Sequence, residues 1–407
     1  LDHEQYEWSG GVDGAAYWRK WGVFYTARSL FVVNGDGRED IAIQVRLPDE
    51  WRITAPWQPT NEEATHFLVR DHDALAASML FAGTHKEVAV RRGPFEFLLA
   101  LGGREVLELE DELITMAEGV LDYYVNLVGD VPRLGSQSAS GNPVVIINQA
   151  DMTDGEAIGD NISMLLGSEG GPMSQHIARL IFAHEFFHLW NGKSFAPSAE
   201  DGEWFKEGFS NYYTLKALHH IGYLTDDSFL GLLSDLFYQR YVQDEAVGRQ
   251  SMTNGNLKHD HWGLIYSGGM LVAIAQDLRI RSATNNEMSL DDLMRHMFNE
   301  YSGTGYTPDD IQRALSDLNG SSQEDFFRRY VFGSEKIPID EFLALAGIET
   351  SEEDGRTVFT KEEIEDTDTL AIRRGMFGVP HPVSAMRPAG PACLCAQPET
   401  IAYQSEK

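Results

Sequence analysis

The stretch His184-Glu185-Phe186-Phe187-His188 decides how this chain folds and what it can do. On a helix its two histidines lie one turn apart on the same face, where both imidazoles can bind one Zn²⁺. Glu185 lies beside them and can take a proton from water at the metal. Glu207 follows after eighteen intervening residues and would supply a third ligand from a second helix. Three protein ligands with one open position are typical of a catalytic site, so the sequence predicts one catalytic zinc ion.

The five-residue motif alone is a weak signal, because a chain with 13 His and 63 acidic residues can carry it on any surface or core helix. Its neighbours Leu180, Ile181, Leu189 and Trp190 are apolar, which indicates a buried helix. A buried cluster of two histidines and a carboxylate would carry a heavy desolvation cost, and a bound metal removes it. The alternative for Glu207, a solvated helix carboxylate, fits its apolar neighbours poorly.

Three segments together resemble the glycyl aminopeptidase family, a group of gluzincin zinc peptidases in which HExxH is followed by a distant Glu ligand. They are HEFFHLWNGK at 184–193, WFKEGFSNYY at 204–213, and Tyr266-Ser267-Gly268-Gly269 with LRIRSATNNEMSLDDLM behind it. The resemblance covers residues 143–348 well and implies a thermolysin-like zinc-peptidase domain. It also implies a peptide substrate, with a preference for amino-terminal Gly or Ala that rests on the family alone.

The resemblance assigns roles to individual residues. His184, His188 and Glu207 correspond to the zinc ligands, and Glu185 corresponds to the general base. Tyr266 corresponds to the tyrosine that donates a hydrogen bond to the tetrahedral oxyanion, a task that suits a neutral phenol. Because the chain has 15 Tyr, an ordinary core tyrosine on an apolar helix is the alternative for Tyr266.

Two features depart from the family. Its Gly-Gly-Leu-Glu-His-like stretch, whose Glu is expected to grip the substrate amine, is replaced here by DGEAIGDNIS at 154–163. Glu156 or Asp160 could pair with the ammonium instead, or both could be loop residues. Hydrolysis of a peptide bond is therefore better supported than strict amino-terminal specificity. An endopeptidase on the same fold, or a catalytically silent zinc-binding scaffold, stays open. About sixty residues follow Gly347, too few for the PDZ domain that many relatives carry there.

Composition bounds the partners. The net charge of -31 argues against nucleic acid and anionic membranes as partners, because both would be repelled. No run of eighteen apolar residues occurs, so no membrane span is expected. Adaptation to salty surroundings is one hypothesis for the charge, and simple solubility is the other. Oligomeric state stays open.

The ends of the chain suggest little about chemistry. It begins with Leu1 rather than Met, which suggests a processed or truncated product. A removed secretion signal is compatible with this start, and it slightly favours a periplasmic or secreted location over a cytoplasmic one. The two cysteines, Cys393 and Cys395, are interpreted as bystanders because one intervening residue would strain a mutual disulfide.

The sequence predicts an α+β protein with four regions. They are a β-rich domain over 1–102, a thermolysin-like catalytic domain over 103–255, a helical bundle over 256–349, and an extended or poorly ordered tail over 350–407. Within the catalytic region, apolar periodicity predicts a helix over 105–128. A strand over 143–147 and the Gly- and Asp-rich loop over 151–172 are the candidates for a substrate-binding sheet edge. Ser289 and Thr307 are predicted helix N-caps.

Overall fold

The computed structural model describes residues 16–32, 39–134, 142–151, 153–167 and 171–381; the side chains of Glu156 and of residues 171–175 lie outside that description. The protein has the α+β class that the sequence predicts, with β-sheets first and a helical region after them. Its residues group into two compact units, Leu1–Asp122 with Val131–Leu189, and Tyr123–Asp130 with Trp190–Lys407. Among the helices of the described residues, none has both the length and the apolar character that crossing a bilayer requires.

The first unit opens with two antiparallel sheets. A four-stranded sheet has the order β1-β2-β7-β4, and a three-stranded sheet has the order β3-β6-β5. In the strand over 66–71, Phe67 and Val69 are buried while Leu68 is exposed, the alternation expected of a half-buried strand. The elements are β1 Ala16–Arg19, β2 Gly22–Thr26, α1 Ala27–Leu30, β3 Glu39–Gln44, β4 Arg52–Thr54, β5 Gln58–Pro59, β6 His66–Asp71, α2 His72–Ala76 and β7 Met79–Gly83.

A five-stranded sheet with the order β11-β12-β10-β9-β8 completes the first unit. Its central strand β10 runs parallel to β9 and β12, and β11 forms an antiparallel edge. The predicted helix over 105–128 is present as α3 and α4. The elements are β8 Lys86–Arg92, β9 Phe95–Gly102, α3 Arg104–Glu108, α4 Glu110–Val128, β10 Val144–Ala150, β11 Asp154–Ile158, β12 Asn161–Gly167 and α5 Gly171–Phe187.

The prediction for the sheet edge was half wrong. The strand over 143–147 lies in the middle of the sheet as β10, and the stretch predicted as a loop contains the edge strand β11 and its neighbour β12. Every residue of β12 is buried, so it shows no polar alternation that would mark it as a strand. The Gly and Asp residues serve the two-residue turn Gly159-Asp160 and the close approach of Gly155 to Ile181 on α5.

The second unit is mostly helical. Its elements are α6 Glu203–His220, α7 Asp226–Leu232, α8 Gln239–Gln243, α9 Gly268–Ala283, α10 Leu290–Tyr301, α11 Pro308–Asn319, α12 Glu324–Phe326, α13 Ile339–Leu343, β13 Ile348–Glu353, β14 Arg356–Lys361 and α14 Thr367–Phe377. Both predicted N-caps are confirmed: Ser289 and Asp292 form a capping box on α10, and Thr307 and Asp310 form one on α11. Helix α9 is buried on nearly all sides, which makes it the centre of this unit.

The prediction of an extended tail was wrong as far as residue 381. The hairpin β13–β14 and helix α14 occupy this region, and α14 buries Met376 and Phe377. The backbone of α14 lies against the side chain of Arg281 from α9, since a Cβ on Gly375 would fall 2.2 Å from Nη1 of that residue. The sequence from 350 to 368 is rich in acidic residues, and α14 buries few apolar side chains. The composition of this region therefore did not indicate a packed helix. Cys393 and Cys395 lie outside the described residues.

Candidate metal centre

Helix α5 carries the two predicted histidine ligands at its carboxyl end. The helix ends at Phe187, and the next turn tightens, because the His188 amide donates to the carbonyl of Glu185 over 3.2 Å. The Nε2 atoms of His184 and His188 lie 3.1 Å apart, and the two ring planes cross at 86°. Both rings therefore direct their Nε2 atoms to the same place. Each histidine is only 9% exposed, so this place is largely shielded from solvent.

Glu207 completes the set. It lies in α6 and is 3% exposed. One ligand atom from each of His184, His188 and Glu207 lies within 4.8 Å of the other two, and these three form the one such group among the described residues. Two nitrogens bound to a tetrahedral zinc ion at about 2.0–2.1 Å would lie roughly 3.3 Å apart, close to the separation seen here. The donor set of two imidazoles and one carboxylate therefore fits a divalent cation such as Zn²⁺.

Glu185 differs from its neighbours in exposure. Phe186 and Phe187 are fully buried, whereas Glu185 is partly exposed. Phe186 packs edge-on against Phe97 of β9 and stacks with Phe182, which anchors the helix on the sheet. While the helix is anchored in this way, the Glu185 side chain stays accessible to solvent. A residue that accepts a proton from water needs this access.

Asn191 links the chain after the second histidine to the helix that carries Glu207. Its Nδ2 donates to the carbonyl of Lys206 over 3.1 Å, one residue before the ligand. The hydroxyl of Tyr306 donates to its Oδ1 over 3.4 Å. Because Asn191 is fully buried, these bonds hold the start of α6 in place.

Paired glycines bring α6 and α9 into direct backbone contact. A Cβ on Gly208 would lie 2.2 Å from the carbonyl carbon of Gly269, and a Cβ on Gly269 would lie 2.0 Å from the carbonyl oxygen of Trp204. Only glycine permits this approach. Gly208, which follows Glu207, and Gly269, the second glycine after Tyr266-Ser267, thus have one packing reason, which places the two motifs side by side.

Two lysines contact the third ligand, and the sequence did not suggest either as a functional residue. The ammonium of Lys258 lies 2.7 Å from Oε1 of Glu207 and 2.8 Å from Oε2 of Glu203. Lys206 lies 3.2 Å from the same Oε1. Burial alone would lower the pKa of Lys258, but the charges of Glu207 and Glu203 outweigh it and raise that pKa above its ordinary value. Lys258 is therefore charged throughout the physiological range.

Tyr266 lies beside this cluster, in a π-helical turn over 263–267 that leads into α9. Its ring is partly exposed and stacks on Trp262, with ring centroids 5.0 Å apart and planes 7° apart. The ammonium of Lys258 lies 6.0 Å from the centre of the Tyr266 ring. The contact with Lys258 brings Tyr266 near Glu207, as the sequence interpretation requires, and its role as a hydrogen-bond donor stays a prediction.

The two predicted substrate-binding carboxylates lie on the edge hairpin. Glu156 belongs to β11, opposite Ser163 of β12, and its side chain lies outside the described residues. Asp160 is partly exposed in the turn between the two strands. Their assignment to the substrate amine stays a prediction.

Known proteins share both the motif region and the fold. Residues 178–274 match the family model of the M61 glycyl aminopeptidases. No curated protein sequence matches the chain. Similar solved structures include an aminopeptidase N family protein from Idiomarina loihiensis, with a TM-score of 0.68 and 19% identity over 83% of this chain and 63% of its own.

Two further structures show the same fold at lower similarity. Yeast LTA4 hydrolase in complex with bestatin has a TM-score of 0.53 and 13% identity over 78% of this chain and 51% of its own. An M1 zinc metallopeptidase from Deinococcus radiodurans has a TM-score of 0.53 and 14% identity over 81% of this chain and 74% of its own. At these identities the structures establish the fold alone. The chain spans less than two thirds of the length of the Idiomarina protein.

Proposed function

We propose that this chain is a zinc-dependent aminopeptidase that favours small amino-terminal residues such as Gly and Ala, because residues 178–274 match the family model of the M61 glycyl aminopeptidases. One observation carries the proposal. The ligand atoms of His184, His188 and Glu207 converge within 4.8 Å, with the acidic side chain of Glu185 in the same motif. A structural zinc site has four protein ligands and no need of a general base.

The residues divide the work of hydrolysis. A zinc ion held by His184, His188 and Glu207 would supply Lewis-acid chemistry, by polarising a carbonyl and acidifying water. Glu185 takes the proton of the attacking water and delivers it to the leaving amine. The hydroxyl of Tyr266 donates a hydrogen bond to the oxyanion, and this hydrogen bond strengthens as negative charge develops.

The edge strand β11 is the proposed site for the substrate backbone. One side of β11 pairs with β12, and the other side has no neighbouring strand within the described sheet. A peptide that adds to this side would gain main-chain hydrogen bonds while its scissile bond extends toward the metal. Glu156 on the strand or Asp160 in its turn would then pair with the substrate ammonium.

The altered sequence of this hairpin favours a second candidate, an endopeptidase that needs no free amine. The two candidates differ in one measurable way. An aminopeptidase cleaves a glycyl or alanyl dipeptide amide, and its kcat/KM for the acetylated form should be roughly a hundredfold lower, because the carboxylate partner is left without its ammonium. Equal cleavage of both forms would select the endopeptidase.

Glu185→Gln tests the proposed chemistry. The amide keeps the size of the side chain and cannot accept the proton, so zinc content should stay at one ion per chain while kcat falls about 10²–10⁴-fold. Zinc is measured by elemental analysis and kcat on the unblocked dipeptide amide. A variant with full turnover would exclude the mechanism. A wild-type chain that binds zinc and cleaves no peptide would instead favour the silent scaffold.

A further inference from the structure

Lys258 is in close contact with the third metal ligand, Glu207. Its ammonium donates to Oε1 of Glu207 over 2.7 Å and to Oε2 of Glu203 over 2.8 Å. The side chain reaches Glu207 from a 3-10 turn over 255–258, fifty-one positions along the chain. Such a contact across the fold requires that the turn itself be firmly placed.

The turn over 255–258 is fixed by backbone contact. A Cβ on Gly255 would lie 1.9 Å from the carbonyl oxygen of Glu200, so the turn rests directly on the segment that leads into α6. Both ends of the Lys258–Glu207 bond therefore belong to tightly packed backbone. A salt bridge between preorganised groups loses little conformational entropy when it forms.

The charges of the ion-pair cluster that contains Glu207 balance without a metal. Two carboxylates, Glu203 and Glu207, face two ammonium groups, Lys206 and Lys258, so their sum is zero. Glu203 pairs with both lysines and so offsets part of the repulsion between Lys258 and a bound cation. The main effect of Lys258 on the site is then its hydrogen bond to one carboxylate oxygen of Glu207.

We propose that Lys258 is a positioning residue for the metal site: it holds Oε1 of Glu207 and thereby leaves the second carboxylate oxygen as the ligand. The inference rests on the proposed function, since it takes Glu207 to be a zinc ligand. Partners that orient ligands in this way commonly contribute 10–100-fold to metal affinity. Lys206, at 3.2 Å from the same oxygen, lies on the helix of Glu207 itself, and its ammonium donates to both carboxylate oxygens of Glu203.

The test removes the bond while it keeps the charge balance. The double variant Lys258→Met with Glu203→Gln leaves one carboxylate and one ammonium, again a sum of zero. Its zinc dissociation constant, measured by competition with a chromophoric chelator, should rise about 10–100-fold. A constant within threefold of the wild type, or a lower one, would overturn the proposal.

The matched control is a second buried ion pair on the same helix. Lys216 lies nine residues after Glu207, about 14 Å along α6, and its ammonium is 3.3 Å from Oδ1 of Asp291. Lys216→Met with Asp291→Asn removes that pair with the same chemistry, and its zinc affinity should stay within threefold of the wild type. An equal loss in this control would show general destabilisation and overturn the specific role of Lys258.

Cobalt substitution separates position from stability. The visible absorption of Co²⁺ reports the ligand geometry, so Lys258→Arg, which keeps the charge on a longer side chain, should shift the bands while it retains most of the affinity. An unchanged spectrum overturns the proposal, even if the double variant fails to fold. The two levels of inference remain separable: a wild-type chain that binds neither zinc nor cobalt removes the proposed function, whereas normal binding with unaffected Lys258 variants removes only this inference.

Discussion

At the scale of single residues, the ring of Tyr266 is fixed by its aromatic neighbours. Trp262, one turn earlier, stacks on it, and Phe237 stacks on Trp262 with centroids 5.9 Å apart. The guanidinium of Arg240 lies 4.6 Å from the centre of a Trp262 ring. The hydroxyl of Tyr266 is thus carried by a ring whose plane is set in advance, which suits a group that must meet a transient charge.

Tyr266→Phe should lower kcat about 10²–10³-fold and leave KM nearly unchanged, because the lost hydrogen bond forms chiefly in the transition state. Steady-state kinetics on the unblocked dipeptide amide measure both constants. Tyr241→Phe is the control, since its hydroxyl accepts a hydrogen bond from the amide of Ile337 and serves packing. Equal kcat for Tyr266→Phe and wild type would remove Tyr266 from the reaction.

His85 is a buried histidine of the first unit that the proposed reaction does not use. It is 3% exposed, and its Nε2 lies 2.7 Å from the hydroxyl of Thr54, which itself donates to Glu87. Because that hydroxyl hydrogen is engaged by Glu87, Nε2 of His85 must be the donor. Burial, then the nearby charge of Arg52, lowers the pKa of His85 to about 4.

This shift makes the fold sensitive to acid. The unfolded chain takes up a proton on His85 near pH 6.5, and the folded chain does so only near pH 4, so the stabilisation is complete above pH 6.5 and is lost as the pH falls to 4. The loss should be roughly 3 kcal/mol. His85→Gln keeps an N–H donor and cannot titrate, so denaturant titrations from pH 7 to 4 should show a smaller fall in its free energy of unfolding. Parallel curves would exclude His85 as the cause.

At the scale of elements, the crossing of α6 and α9 decides where the site residues lie. Gly208 and Gly269 let the two helix backbones touch, and the residues just before them on each helix are Glu207 and the turn that holds Tyr266. A side chain at either glycine would separate the helices. The crossing therefore sets both the stability of this unit and the distance between its functional groups.

Gly208→Ala should destabilise the protein by about 1–3 kcal/mol or more, because its Cβ would fall 2.2–2.4 Å from the backbone of Gly269 and Met270, which cannot move aside. Gly231→Ala on α7 is the matched control, since a Cβ there meets nothing within 4 Å and alanine favours the helix. The control should be unchanged or up to about 1 kcal/mol more stable. Urea unfolding of both variants measures the difference, and equal effects would contradict the close crossing.

The elements differ in how well the sequence predicts them, and the reason is the range of the interactions. Helices α10 and α11 follow from local signals, because Ser289 and Thr307 cap residues only three positions away. His184 and His188 are predictable for the same reason, since helix geometry alone brings them together. Lys258 is not, because fifty-one residues separate it from Glu207 and only the tertiary fold joins them. The sequence distinguishes Lys258 only by its residue type, because the chain has just nine lysines.

At the scale of the whole molecule, the net charge of -31 is carried by groups outside the buried ion pairs, because each of those pairs is itself neutral. Lys206, Lys216 and Lys258 are three of the nine lysines, and all three lie in buried or half-buried ion pairs within the second unit. Their charges offset internal carboxylates rather than those at the surface. Repulsion among the surface carboxylates should therefore oppose folding at low ionic strength.

Salt should stabilise the protein. Between about 0.01 M and 1 M NaCl the Debye length falls from about 30 Å to about 3 Å, which screens the repulsion and should raise Tm by several degrees. Differential scanning calorimetry measures the change, with a matched series in sucrose to separate screening from preferential exclusion. A Tm that does not respond to NaCl would leave solubility as the reason for the charge.

Helix α14 has a practical consequence for anyone who prepares the protein. The hydroxyl of Tyr212 donates to the carbonyl of Met376, and Gly375 lies against the guanidinium of Arg281, which pairs with the buried Asp277. A recombinant form that ends near residue 350 would lack α14, which covers part of the Arg281–Asp277 ion pair. Water could then reach this ion pair. The gene should be cut no earlier than the codon for residue 381.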